Sequence, residues 1–419
     1  METARPQGRS GIVYQLMLVV LLCLNFGILF FDRNAINFLM PYIQPELGLN
    51  YTQVGLLGAG LSFTWAVAAI FVGWLSDKVA RRKIIIVVST LIFSVCSVVS
   101  GLAGSFLMLL GARLLMGLSE GGVMPISHAM VAAEVSPKWR ALAMGVTQNV
   151  GSSILGSTVA PLVLVPLAIV YGWRSAFFLS AVPGLISALL IILLVIERPI
   201  PRAPPRKPEE RLPLVETLTN RNVIACAVMS VLLVSYLVVT WSFMPLVLVQ
   251  HRGMADGTAA ALMAVLGISS FLASFIVTGV SDFIGRKPVM VVMPFIGVIL
   301  PLAALYYAGS VWTMGAIFFV GWMFNGIFPM FMATVPTESV SPRQVATAMG
   351  IVMGVGEILG GVLGPSFAGM LSDLYGLEAP LWFLVAVALL GGLTALFLKE
   401  TAPRIVGERA DPELSEAFE

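Results

Sequence analysis

The chain has 419 residues, of which 58% are hydrophobic and only 11% charged, with a mean hydropathy of +0.96. That leaves too little polar surface to cover a soluble protein of this length, so lipid is the solvent for most of it, and a water-soluble enzyme or nucleic-acid-binding module is excluded. The net charge of +2 hides a strong asymmetry between loops, which becomes visible once the apolar stretches are placed.

Stretches apolar and long enough to cross about 30 Å of hydrocarbon run at 12–40, 51–76, 84–103, 106–133, 141–170, 174–196, 221–249, 257–280, 289–308, 311–337, 344–372 and 379–398. They predict an all-α membrane protein with twelve transmembrane helices. Arg5 and Arg9 precede the first stretch with no small-residue cleavage site after it, so it reads as a span rather than a signal peptide. Nearly all of the 24 Lys and Arg residues then fall in the even-numbered loops and the two tails, against Arg174 and Arg252 on the other side. The positive-inside rule predicts an integral plasma (inner) membrane protein with both termini cytoplasmic.

Helix 1 carries Asp32-Arg33 in its outer half. With a rise of 1.5 Å per residue, Arg33 and Arg113 of helix 4 reach similar depth, and Glu120 lies two turns beyond Arg113 on one face, nearer mid-membrane. Ions in hydrocarbon are costly and usually face a cavity. An interfacial anchor at Asp32-Arg33 and a structural ion pair at Arg113 and Glu120 stay open as alternatives.

Helix 2 ends in Gly73-Trp-Leu-Ser-Asp77-Lys-Val-Ala-Arg81-Arg82-Lys83, an acid followed by a basic turn that can hold helices together by charge. In helix 4, His128 lies eight residues after Glu120, as a packing residue or a proton relay. Helix 5 offers Gln148 and Asn149 as polar linings. Cys23, Cys96 and Cys226 stand singly in apolar context, which argues against disulfides or a metal site. The Pro-rich, charged segment 198–217 marks a cytoplasmic linker between halves at 1–197 and 218–400, and 401–419 forms an acidic cytoplasmic tail.

The second half repeats the first at an offset of 205 residues. Asp77, Arg81 and Arg82 recur as Asp282, Arg286 and Lys287, and Ala143-Met144-Gly145 recurs as Ala348-Met349-Gly350. Tyr236 and Trp241 in helix 7 and Asn325 in helix 10 are further candidate linings, with Asn325 at the position equivalent to Glu120. Glu357 in helix 11 has no cation in its own segment and either lines the cavity or packs in neutral form. Two similar halves of apolar helices point to a two-bundle transporter.

The helix 2–3 turn resembles the Gly-x-x-x-Asp-Arg/Lys-x-Gly-Arg-Arg/Lys pattern of the major facilitator superfamily, with Ala80 at the usual second Gly and Thr278 at the first Gly of the second copy. Asn25 to Asn34 with Pro41, and Arg113-x-x-x-Gly117-x-x-Glu120-Gly121-x-x-x-Pro125, resemble the anion:cation symporter family within it. The resemblance implies two pseudo-symmetric six-helix bundles and proton-coupled uptake of an organic acid anion, such as a sugar acid or aromatic carboxylate. It implies that Arg33 holds the substrate carboxylate, Asp32 and Glu120 take protons, and Arg113 partners those acids. A monomer with no cofactor and no metal is expected.

Rival readings are a spinster-like lipid carrier, because Asp32-Arg33 and the Glu120-Gly-Gly pattern resemble that family too, and a proton-driven exporter of amphipathic molecules. Helix 5 has Gly156-x4-Pro161 rather than the Gly-Pro-x-x-Gly-Gly run of exporters. A membrane enzyme lacks any nucleophile or metal constellation, and no phosphate-binding loop is present.

Overall fold

The computed structural model describes residues 11–79, 81–196, 214–341 and 344–410; the side chains of 70, 73–79, 137, 141, 214, 215 and 408–410 are outside that description. The expected linker up to 213, the tail beyond Ala410, and the side chain of Asp77 therefore lie outside the described residues. The described chain is helical throughout, with no strand among those residues.

Among the described residues, eleven helices are long and apolar enough to cross a membrane: α1 (Ile12–Leu47), α2 (Tyr51–Val79), α3 (Arg82–Gly101), α4 (Phe106–Glu134), α5 (Lys138–Tyr171), α6 (Trp173–Leu194), α7 (Arg221–His251), α8 (Asp256–Ile284), α9 (Arg286–Tyr306), α10 (Val311–Glu338) and α11 (Val345–Tyr375). The twelfth expected span, α12 (Ala379–Ala395), has 17 residues, which is about 25 Å of helix. α1 continues past the expected boundary because Pro41 and Pro45 are carried inside the helix. Local side chains start several helices: Ser105 accepts from the Met108 amide, and Asn220 from those of Asn222 and Val223.

Helices α1–α6 pack mainly with one another, and α7–α12 likewise. The two groups meet where α2 runs along α11, α5 along α8 and α1 against α7. This packing is concentrated toward the end marked by Gly48. There Asp373 of α11 caps the start of α2, accepting from the Tyr51 and Thr52 amides at 2.8 Å each and from the Thr52 hydroxyl at 2.6 Å. Gln250 of α7 donates to Gln44 of α1 at 3.1 Å. At the opposite, Arg82 end, Val123–Glu134 and Pro137–Gly145 pack within the first group, and Val335–Glu338 and Val345–Val355 within the second.

The second basic turn is built as a clamp. Arg286 pairs with Asp282 at 2.5 Å and with Glu338 of α10 at 3.1 Å. Glu400, just after α12, accepts from the amides of Arg286 (2.8 Å), Ala402 (2.9 Å), Thr401 (3.0 Å) and Lys287 (3.1 Å). It thus caps the positive N-terminal end of α9. Burial pushes the Glu400 carboxyl up, but these four backbone donors outweigh it and hold the group below its ordinary 4.5. A carboxyl depressed by folding stabilises above the unfolded value and loses that contribution as pH falls through the lower folded value. Glu400→Gln is expected to cost about 1 kcal/mol at pH 7, the worth of a helix cap. The gap to the wild type in thermal melts should close below pH 4.5.

Candidate functional site

Midway along the molecule, α1, α2 and α4 bring Arg33 and Glu120 together. Arg33 Nη1 lies 4.0 Å from Glu120 Oε2, with the arginine side chain 17% exposed and the glutamate side chain 0% exposed. The guanidinium is flanked by Phe30 (5.5 Å to the ring centroid) and Trp65 (5.8 Å), which leave it one open side. Neither oxygen of Glu120 has a hydrogen-bond partner among the described residues. The close approach depends on α4 being bare where it meets α2: a Cβ at Gly117 would run into the Thr64 hydroxyl, and one at Gly121 into the Trp65 carbonyl. α4 breaks at Gly121–Gly122, directly after Glu120.

Arg113 is fully buried and makes no direct ion pair with an acid among the described residues. Its Nη1 donates to the Arg33 carbonyl at 3.1 Å and its Nη2 to Ser100 at 3.4 Å, beside the Phe177 ring. It partners Asp32 and Glu120 through the field rather than through contact. Asp32, although next to Arg33 in sequence, turns the other way. Its Oδ1 accepts from Ser97 of α3 and, at 2.8 Å, from Ser180 of α6. Two turns along the same helices, Asn25 repeats the arrangement, accepting from Thr90 at 3.1 Å and Ser187 at 2.8 Å. Ser97 and Ser180 escaped the sequence reading. Their signal is the shared seven-residue step: Asn25 to Asp32, Thr90 to Ser97, Ser180 to Ser187.

Glu357 occupies a π turn, Gly356–Gly360, in α11. A Cβ on Gly361 would lie 3.5 Å from Glu357 Oε2 and 3.0 Å from Ser62 Cβ of α2, so the carboxyl sits at the α2–α11 seam. The cation acting on it is Arg33, from the other helix group.

The remaining expected linings divide. Gln148 and Asn149 lie half-buried on a π turn of α5, Val146–Val150. Trp241 packs edge-on against Phe38 of α1 (6.0 Å) and Trp322 of α10 (5.5 Å), closing the seam between groups. Asn325 donates to Ser270 at 3.0 Å while its Oδ1 is buried without a partner among the described residues. Tyr236 is fully buried inside the second group and donates to the Gly297 carbonyl at 2.8 Å. That carbonyl has no helical donor because residue 301 is proline. Tyr236 is thus a helix-repair residue in this conformation, its ring packed against Trp322 (6.1 Å) and Phe324 (4.6 Å). Of the basic turns, Arg81 is exposed, Arg82 donates to the Ala129 carbonyl of α4 at 2.8 Å, and Lys287 offers its amide to Glu400. The anchoring acids Glu338 and Glu400 were not foreseen. His128 is half-buried in α4, its Nε2 without a partner among the described residues.

The Major Facilitator Superfamily model matches residues 22–254 and 223–418. The chain belongs to the Major Facilitator Superfamily. Among relatives, it is 34% identical over 161 residues to the protein named "Probable sulfoacetate transporter SauU" of Cupriavidus necator (38% of this chain, 37% of that one). It is 28% identical over 267 residues to the hexuronate transporter of Bacillus subtilis (62% of each). Neither match reaches two thirds of the relative's length. Among facilitator structures, a bacterial homolog of the human lysosomal transporter Spinster, in an inward-facing and occupied conformation, superposes with a TM-score of 0.75 at 22% identity, covering 93% of this chain and 97% of that one. The facilitator fold accounts for the all-helical, multi-pass architecture, and the family is one of transporters rather than enzymes.

Proposed function

We propose that this protein is a proton-coupled importer of an organic acid anion, working by alternating access between halves at 1–197 and 218–400 joined by the linker 198–217. The observation that carries this reading is the loose pair of Arg33 with Glu120. A charge-assisted contact normally closes to about 2.7–2.9 Å, so at 4.0 Å the cation is not consumed by its acid. A substrate carboxylate can approach the open side of Arg33 between Phe30 and Trp65. While Glu120 is ionised, it neutralises the arginine and repels an incoming anion. A proton on Glu120 removes both effects, the anion binds, and the loaded centre carries no net charge through the membrane interior.

In this mechanism Asp32 partners a charge instead of taking the proton that the resemblance implies. Held by two serine hydroxyls and facing away from Arg33, it serves as the charge partner of Arg113. Arg113, through its bond to the Arg33 carbonyl, positions the α1 backbone. The basic Arg82 end is the cytoplasmic one under the positive-inside rule, so the packed Gly48 end faces outward and the conformation opens inward. Substrates named for the two relatives, a sulfonated carboxylate and a sugar acid, support an anionic cargo.

The test is purified protein in proteoliposomes. Carboxylic acids that raise the melting temperature are expected to accumulate against their gradient when the outside is made acid. Stabilising acids that only equilibrate, with no response to pH, would refute the coupling.

A further inference from the structure

Two carboxyls, not one, compete for Arg33. Glu120 approaches from its own helix group at 4.0 Å. Glu357 approaches from the other group, held at the seam by the Gly356–Gly360 π turn and by the bare α11 surface at Gly361 against Ser62. One turn along α2 from Ser62 is Trp65, whose ring lies beside the Arg33 guanidinium, so Glu357, Ser62, Trp65 and Arg33 form a continuous path across the seam. π turns recur at functional sites because they push one residue out of the helical register.

No other described charge stands at this depth on the elements around Glu357. On α7, the residue level with Gly356 is Ser230, and Arg221 lies about 14 Å further along that helix. On α2, Asp77 and Lys78 lie about 22 Å beyond Ser62, and on α11 itself Asp373 lies about 24 Å away. Asp32 of α1 faces α3 and α6, where Arg113 balances it.

We infer that Glu120 and Glu357 act as one proton-binding unit around Arg33, sharing a resident proton in the empty carrier and taking a second when the anion binds. This rests on the proton-coupled reading above. The charge count is the reason. One guanidinium with two ionised acids leaves an excess negative charge in hydrocarbon, whereas one guanidinium, one carboxylate and one carboxyl are neutral. Adding a monovalent anion restores neutrality only if the second acid also takes a proton. The proton comes from water on the side where the anion enters and returns to water where the anion leaves. Net transfer is one proton and one anion, with no net charge moved. Because the two acids are coupled through the same cation, either can hold the resident proton.

The consequence is redundancy, and it separates this idea from a single-acid mechanism. With substrate inside and a pH gradient imposed, the substrate ratio at zero net flux reports the proton count. In the wild type, a proton ratio of about ten balances a substrate ratio of about ten, because each tenfold ratio carries the same free energy. Glu120→Gln and Glu357→Gln should each keep that balance point, because the partner acid takes over. The double variant should lose it, equilibrating substrate irrespective of pH while still exchanging labelled substrate. Thermal stabilisation by substrate, measured on every variant, shows that each one folds and binds. A balance point lost in Glu120→Gln alone, with exchange intact, would overturn the sharing and leave Glu120 as the sole carrier. Coupling that survives in the double variant would overturn it too. A wild type indifferent to pH would instead remove the parent reading.

Discussion

Arg33→Ala is expected to abolish recognition of the anionic substrate. No other described guanidinium is both in the membrane interior and reachable: Arg113 is fully buried and committed to the Arg33 carbonyl and Ser100. Removing Arg33 also takes away the cation that acts on Glu357 and leaves Glu120 with the field of Arg113 alone. Substrate-induced thermal stabilisation should disappear at every pH, and exchange of labelled substrate should fall by at least about tenfold, as expected when a charged hydrogen-bonding partner worth roughly 1.5–3 kcal/mol is lost. Arg33→Lys tests geometry rather than charge. It keeps the cation but loses the planar fork between Phe30 and Trp65, so partial binding is expected. Undiminished stabilisation by substrate in Arg33→Ala would place the anion elsewhere.

How much of this was legible in the chain itself depends on the range of the interaction. Spans follow from hydropathy because the bilayer acts on each segment separately, and the twelve apolar stretches reappear as eleven long helices and the shorter α12. Arg33 and Arg113 could be brought to similar depth by counting rises along two helices of known direction, with Glu120 two turns further along α4 and nearer mid-membrane. What counting cannot supply is azimuth. Asp32 and Arg33 are adjacent, so their side chains leave α1 about 100° apart, and one points to α3 and α6 while the other points to the seam. Glu357 had no visible cation because its partner stands on a helix more than 300 residues earlier. Tyr236 looked like a lining because a polar aromatic in a span suggests a cavity. Its actual task was set by Pro301, on a different helix, which leaves a carbonyl in need of a donor. The same logic explains Asn34, whose amide donates at 3.0 Å to the Gly156 carbonyl of a π-wound stretch in which residue 161 is proline.

Gly55→Val is expected to stop transport from a position that touches neither Arg33 nor either acid. α2 and α11 approach so closely at the Gly48 end that a Cβ at Gly55 would occupy the place of the Pro365 carbonyl oxygen, and one at Gly369 would meet the Tyr51 carbonyl. Backbone rather than a flexible side chain stands in the way, so neither helix can yield locally. The strain, typically 1–3 kcal/mol for an overpacked contact, is relieved by parting the helices and breaking the Asp373 cap on the start of α2. Since rocking needs this end closed while the other opens, a carrier held apart here is trapped in one access state. The measurement is the distance between spin labels at 53 and 374, which should lengthen and lose its response to substrate. Labelled-substrate exchange should fall with it, while the protein remains folded because each helix group keeps its own core. Gly55→Ala, with less bulk, should show the same change to a smaller degree. A variant that retains both the short distance and full exchange would mean that the Gly48 end closes by some contact other than the α2–α11 seam.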